Sequence, residues 1–238
     1  MQFIIAHSDV DFSLFGPSHA LSNPNGYHNF GHQIGVAESA IKIAEAEWLS
    51  RKEINLLVVA ALLHDAGHTW VTTLGDEMAS VELAIRFLPA DVYQKLWFTP
   101  IQLRDLILAT AFSQRGKYNR NLAKILQDAD ISGSFFGPYY RLYATIGLVD
   151  EFGIDYRVFI REEQQKFLNY LNSISPGCFL SEGAKKVCSD PQKSLDMLLS
   201  RPDEVIDYAY KVRRDDILFA DFEKELQKLI NEKWIMKN

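Results

Sequence analysis

The sequence predicts an all-α protein folded as one helical bundle, and three observations carry that expectation. Apolar residues recur three or four apart through most of the chain, the spacing that gathers them on one helix face. Leu56 to Leu63 form eight consecutive apolar residues, which argues for a helix sunk in a core. No segment shows the period-two alternation of a half-buried strand. At 238 residues and 47% hydrophobic, the chain can bury a full core as one domain.

Taken in order, residues 1 to 26 are mixed and end in SNPNG, a dense turn signal. From Tyr27 to about Leu49, Ile34, Ala37, Ile41, Ala44 and Trp48 mark a helix. A helix through His28 and His32 would set both imidazoles on one face. Ser50 and Glu53 spell the S-x-x-E capping box that opens the helix of the apolar run, and Gly67 sits where that helix should end. Val81, Leu83, Ala84, Phe87 and Leu88 predict a helix from about Asp76 to Leu88. Thr99-Pro100 is a cap followed by proline at the first helical position, starting a helix to about Phe112.

A polar, basic loop, SQRGKYNR, precedes NLAKILQDADISG, where Leu122, Ile125, Leu126 and Ala129 share a face. Asp130, four residues beyond Leu126, continues that inner stripe, and Asp128 is expected to point outward. Pro138 opens a helix to about Val149, and a long amphipathic helix runs from about Tyr156 to Leu171. SPGCFLSEGAKKVCSDPQ is the most loop-like stretch. From Leu195 the tail reads as two or three short helices, the last ending near Trp234.

The net charge of −6 argues against binding nucleic acid through a basic surface. A small phosphorylated ligand held by a few local cations is compatible with it. Cys178 and Cys188 form neither a disulfide framework nor a zinc pattern, so two ordinary thiols in a reducing cytoplasm are expected. The opening MQFIIAHSDVD is too short in apolar residues for a signal peptide or a membrane span, and no other run reaches membrane length. The expectation is a soluble protein that does not engage a membrane.

The chemistry gathers at the end of the apolar run. A carboxylate there, Asp65, must be paired, hydrogen-bonded or bound to a metal, because a bare buried charge is prohibitively costly. All six histidines lie at or before His68. His32, His64, Asp65 and Asp130 offer two imidazoles and two carboxylates from three predicted helices. That mixture suits zinc, manganese, iron or magnesium and is too oxygen-rich for a copper or thiolate site. Two carboxylates also let one bridge a second ion, and adjacent ions clamp both ends of a phosphoryl displacement. Any one of these residues alone reads as a satisfied core group. Four together, after a capped apolar helix and on predicted inner faces, read as a site.

The order H…HD…D in an all-α chain resembles the HD-domain family of metal-dependent phosphohydrolases. YHNFGH, HDAGH, LILAT at 106–110 and DADIS at 128–132 are most similar to cyclic-nucleotide phosphodiesterases. The resemblance spans about residues 27 to 132 and fades beyond. It implies one HD-type domain over residues 1–238, with its metal-binding core at about 27–132. Carried over position by position, it implies that His32, His64, Asp65 and Asp130 bind one or two divalent ions, Asp65 bridging the second. His28, the first histidine of YHN, would be the general acid that protonates the leaving oxygen, an imidazole being the natural donor near neutral pH. His68 would orient the attacking water or back up His28. The implied reaction is hydrolysis of a phosphoester, diester or monoester, with a nucleotide or cyclic nucleotide as candidate substrate.

The chain also departs from the phosphodiesterase pattern. Ala111 stands where those enzymes commonly have Asp after the LAT phrase, and the loop TWVTTLGDE does not match theirs. Gln164 and Phe167 reproduce the spacing of their purine-recognising Gln and Phe, a spacing that an amphipathic helix produces readily. Arg115, Lys117 and Arg120 could meet substrate phosphate or simply line a solvated turn. Glu77 could fix an imidazole or be an exposed first-turn glutamate. Phe135, Phe136, Tyr139 and Tyr140 could wall a base pocket or pack a core. Two other classes compete. A catalytically silent HD-fold module for ligand binding usually loses ligands, whereas here every position is filled. A di-iron oxygenase needs extra histidines between HD and the last Asp, and none follows His68.

Overall fold

A computed structural model describes residues 1–15, 27–68, 75–132, 138–201, 203–213 and 219–230, and these form helices and no strand. In chain order they are α1 (Gln2–His7), a 3-10 turn (Phe12–Phe15), α2 (Phe30–Ala46), α3 (Arg51–Leu63), α4 (Gly75–Phe87), α5 (Ala90–Lys95) and α6 (Pro100–Ala109). A second 3-10 turn (Phe112–Gln114) leads to α7 (Asn121–Ser132) and α8 (Pro138–Phe152). Then come α9 (Tyr156–Val158), a π-helical stretch (Phe159–Glu163), α10 (Gln164–Ile174), α11 (Glu182–Val187), α12 (Pro191–Leu199), α13 (Asp203–Arg213) and α14 (Phe219–Ile230). Among the described residues, no helix is long and apolar enough to cross a membrane.

The contacts divide the chain into two compact units. The first takes the described residues of Met1–Pro24, His28–Ser132 and Asn172–Cys188, and the second those of Asn25–Tyr27, Gly133–Leu171 and Ser189–Asn238. In the first unit α3 is the axis, packed by α2, α6 and α7, while α11 lies on α2 and α7. Being enclosed on several sides explains why α3 is apolar all round rather than striped. Leu56 to Leu63 are each no more than 4% exposed. Within it, Asn55 is satisfied by exchanging hydrogen bonds with Asp9 at 2.9 and 3.0 Å. The capping box forms as read: Ser50 N–H donates to Glu53 Oε2 at 2.8 Å, and Ser50 Oγ accepts from Glu53 N–H. Thr99 caps α6 in the same way with Gln102.

Several expectations are corrected. α2 starts at Phe30, because the Asn29 side chain accepts the His32 N–H at 3.0 Å and caps it. His28 therefore precedes the helix instead of sharing its face. α3 ends at Leu63, before Gly67, so that glycine is no helix cap. It is needed for close approach: a Cβ there would lie 2.5 Å from Ser80 N and 2.6 Å from the Ala79 carbonyl carbon. Its own N–H donates to Ser80 Oγ at 2.9 Å. α6 stops at Ala109, short of Phe112, and the loop-like SPGCFLSEGAKKVCSDPQ contains α11.

Asp128 is the largest correction, for it is fully buried. The stretch Cys178–Ser181 returns over the side of α7 expected to face water. Asp128 accepts hydrogen bonds from Leu180 N–H at 2.9 Å, Ser181 N–H at 2.7 Å and Ser181 Oγ at 2.8 Å. Arg115 completes the cluster, donating to Asp128 Oδ1 at 2.7 Å, to the Gln127 carbonyl at 2.7 Å and to the Cys178 carbonyl at 2.9 Å. Arg115 is thus a buried structural cation, not a solvated one. Arg120 pairs with Asp105 at 3.0 Å, and Lys117 is exposed.

The second unit packs Leu142, Ile146, Ile160, Leu198 and Phe222 into its own core. Arg141, fully buried there, donates to Gln164 Oε1 at 2.8 Å and to the Pro191 carbonyl at 3.2 Å. The Gln164 amide oxygen is therefore engaged by Arg141. SNPNG, most of TWVTTLGDE, Phe135, Phe136 and Trp234, and the side chains of Tyr139 and Tyr140, lie outside the described residues.

Candidate metal centre

Local structure brings the four predicted ligands to one place. The buried axis of α3 ends directly in His64 and Asp65, the first turn of α2 supplies His32, and the last turn of α7 supplies Asp130. His32 Nε2 lies 3.1 Å from Asp130 Oδ1 and 3.3 Å from Asp65 Oδ2. His64 Nε2 lies 2.9 Å from Asp65 Oδ2 and 3.4 Å from Asp130 Oδ1. All four atoms fall within 4.8 Å of one another.

The donors themselves fit a cation. His64 Nδ1 is 2.7 Å from the Ala61 carbonyl, which can only accept, so Nδ1 carries a proton and the neutral ring turns its Nε2 lone pair to the cluster. His64 Nε2 and Asp65 Oδ2 are buried and, despite their 2.9 Å approach, make no hydrogen bond among the described residues. Two donors at right angles on an ion ~2.1 Å away stand ~3.0 Å apart, and at the tetrahedral angle ~3.4 Å. The four separations match that range.

Electrostatics points the same way. Burial disfavours the His64 imidazolium, yet the carboxylates of Asp65 and Asp130 outweigh it and raise its pKa well above the ordinary value. Burial likewise pushes the two carboxyls up, but His64, His32 and, for Asp65, His28 hold both well below the usual range. Two partly buried carboxylates side by side favour positive charge, which a proton supplies in part and a divalent cation would supply in full.

His28 and His68 flank the cluster. Their rings stack at 4.0 Å and 18°, and His28 meets His32 edge-on at 5.7 Å. His68 Nδ1 lies 3.5 Å from Asp76 Oδ2, with both side chains about one-eighth exposed. Asp76, rather than Glu77, thus reaches an imidazole. Burial and the carboxylates of Asp65, Asp76 and Asp130 raise the Glu77 pKa, so it faces the same anionic neighbourhood. Sequence reasoning missed Asp76 because its contact with His68 is tertiary, made between residues eight apart whose meeting no local pattern signals.

Residues 29–132, just under half of the chain, match the family model described as HD domain. The span encloses His32, His64, Asp65, His68, Asp76 and Asp130, and starts one residue after His28. A search of curated proteins found no match.

Proposed function

With an HD domain in residues 29–132, we propose that the protein is a metal-dependent phosphohydrolase acting on a small phosphorylated substrate, a nucleotide or cyclic nucleotide being the candidate class. The observation that supports this reading best is the buried pair His64 Nε2 and Asp65 Oδ2, 2.9 Å apart and not hydrogen-bonded, inside a four-residue donor set. Left without a cation, those atoms would have only their attraction for each other and for His32 and Asp130 to set against their desolvation.

In this reading His32, His64, Asp65 and Asp130 would hold one or two divalent ions, zinc, manganese, iron or magnesium, and Asp65 would be the carboxylate shared with a second ion. An ion held there would supply Lewis acidity toward a water and the phosphoryl oxygens. The chain's own residues do the rest. His28 donates its proton to the departing oxygen, a role worth ~10²–10⁴ in rate for a positioned acid. His68, stacked on His28, holds that ring in place or orients the attacking water. Cys178 and Cys188 are not joined in a disulfide, which fits a reducing cytoplasm.

Elemental analysis of the purified protein, beside hydrolysis assays on a generic phosphodiester, a phosphomonoester and a nucleotide panel, tests the reading. Bound metal with turnover that stops in chelator is the expected result. Neither metal nor turnover would leave a silent ligand-binding module in its place.

A further inference from the structure

We infer that Asp76 is a positioning residue that fixes the ring orientation of His68, and that the Gly67–Ser80 contact is the clamp that places it there. The inference deepens the hydrolase reading and rests on it for its kinetic arm only.

The argument starts from the backbone. Gly67 is the one position between Asp65 and His68 where a side chain is sterically excluded, because Ser80 N and the Ala79 backbone occupy the space. Ser80 is fully buried, and its hydroxyl accepts the Gly67 N–H at 2.9 Å. Helix α4 is therefore pinned by its middle turn to the residue next to His68. Asp76 lies four residues before Ser80, one turn along the same helix face. That register carries its carboxylate to 3.5 Å from His68 Nδ1, with both side chains nearly closed to solvent.

The His68 ring needs such an anchor. Its face is held by stacking on His28 at 4.0 Å and 18°, but a stacked imidazole can still flip in its own plane, exchanging a nitrogen for a carbon at each edge. A carboxylate at one edge selects the flip that turns Nδ1 toward it and favours the form with a proton on that nitrogen. Nε2 is then directed to the opposite edge, in a defined protonation form. Through the stack, the same anchor fixes the plane of His28, the proposed acid.

The test reads His68 directly. Protein labelled with ¹⁵N in histidine, with His68 assigned by the loss of its signals in His68→Gln, gives the protonation of each ring nitrogen by long-range ¹H–¹⁵N correlation. The parent should carry a proton on His68 Nδ1. Asp76→Ala should shift His68 toward the form protonated on Nε2 and lower the hydrolysis rate about 10-fold, as loss of an outer partner does, with KM and metal content unchanged. Asp76→Asn keeps an acceptor oxygen and should retain the parent ring form. A bare Nδ1 in the parent overturns the inference, and that spectrum decides even where Asp76→Ala does not fold. So does a slower Asp76→Ala enzyme whose His68 signals match the parent, since Asp76 would then serve only the start of α4. A parent without turnover on any phosphoester would sink the hydrolase reading and leave the ring measurement standing.

Discussion

Asp128→Ala should be among the most damaging substitutions in the protein, although Asp128 is not a candidate ligand. The carboxylate is fully buried and accepts four hydrogen-bond donors from three partners, Arg115, Leu180 and Ser181. Its loss leaves the Arg115 guanidinium, with 3% of the side chain exposed, buried without its countercharge. Removing one partner of such a pair costs about 3–5 kcal/mol. The Leu180 and Ser181 N–H groups are stranded as well, at about 1–3 kcal/mol each if no water reaches them. These contributions overlap, and Arg115 keeps the Gln127 and Cys178 carbonyls, so about 4–6 kcal/mol is expected overall. A domain stable by only about 5–15 kcal/mol would lose much or all of its margin. Urea unfolding followed by far-ultraviolet circular dichroism measures the change. Arg115→Met combined with Asp128→Leu should recover at least half of it, because an apolar replacement of both partners strands no charge. Arg120→Ala, which breaks the exposed pair with Asp105, should cost under about 1 kcal/mol. If Asp128→Ala lies within about 1 kcal/mol of the parent, the buried cluster does not hold this region together and the reasoning fails.

Other outcomes follow from the site and the thiols. Asp65→Ala should strip the bound metal and abolish turnover, and retained metal by elemental analysis would remove Asp65 from the ligand set. His28→Ala should keep its metal and slow hydrolysis by about 10²–10⁴-fold; a parent-like rate would exclude it as the acid. Chelation should lower the melting temperature, since an ion bound only by the folded state stabilises it, and an unchanged transition would speak against a structural contribution from the ion. Burial and the nearby Asp128 carboxylate push the Cys188 thiol up to about 12 from 9.0. Its thiolate fraction at pH 8 should then be ~10³-fold below that of a free thiol, and alkylation correspondingly slow until unfolding. The unfolded thiol ionises first, so this group lowers stability as pH rises from about 9 towards 12.

Legibility in the sequence tracked the range of the interactions. The capping boxes at Ser50 and Thr99 and the depth of α3 were readable because their causes lie within a few residues. The gathering of His32, His64, Asp65 and Asp130 was readable because each sits at the end of an apolar stripe that points inward. The Asn29 cap was also a local signal, but histidine spacing suggested the longer helix. What misled was distant in the chain. Asp128 looked outward on its helix until Leu180 and Ser181 covered it, and Gln164 looked available until Arg141 engaged its amide oxygen. Gly67 looked like a helix end, whereas Ser80 requires it.

The cover over α7 has a consequence for the order in which the protein can be completed. The chain leaves the first unit at Ser132 and returns to it only at Asn172–Cys188. Until residue 181 has emerged from the ribosome, Asp128 lacks its Leu180 and Ser181 donors and Arg115 lacks the Cys178 carbonyl, and the helix bearing Asp130 is without its cover from α11. The stretch that matches the family model therefore does not end its own folding. A fragment stopped at residue 132 should expose a buried ion pair and remain loosely packed, and closing the intervening excursion is an entropic step that native assembly must make before α7 is locked.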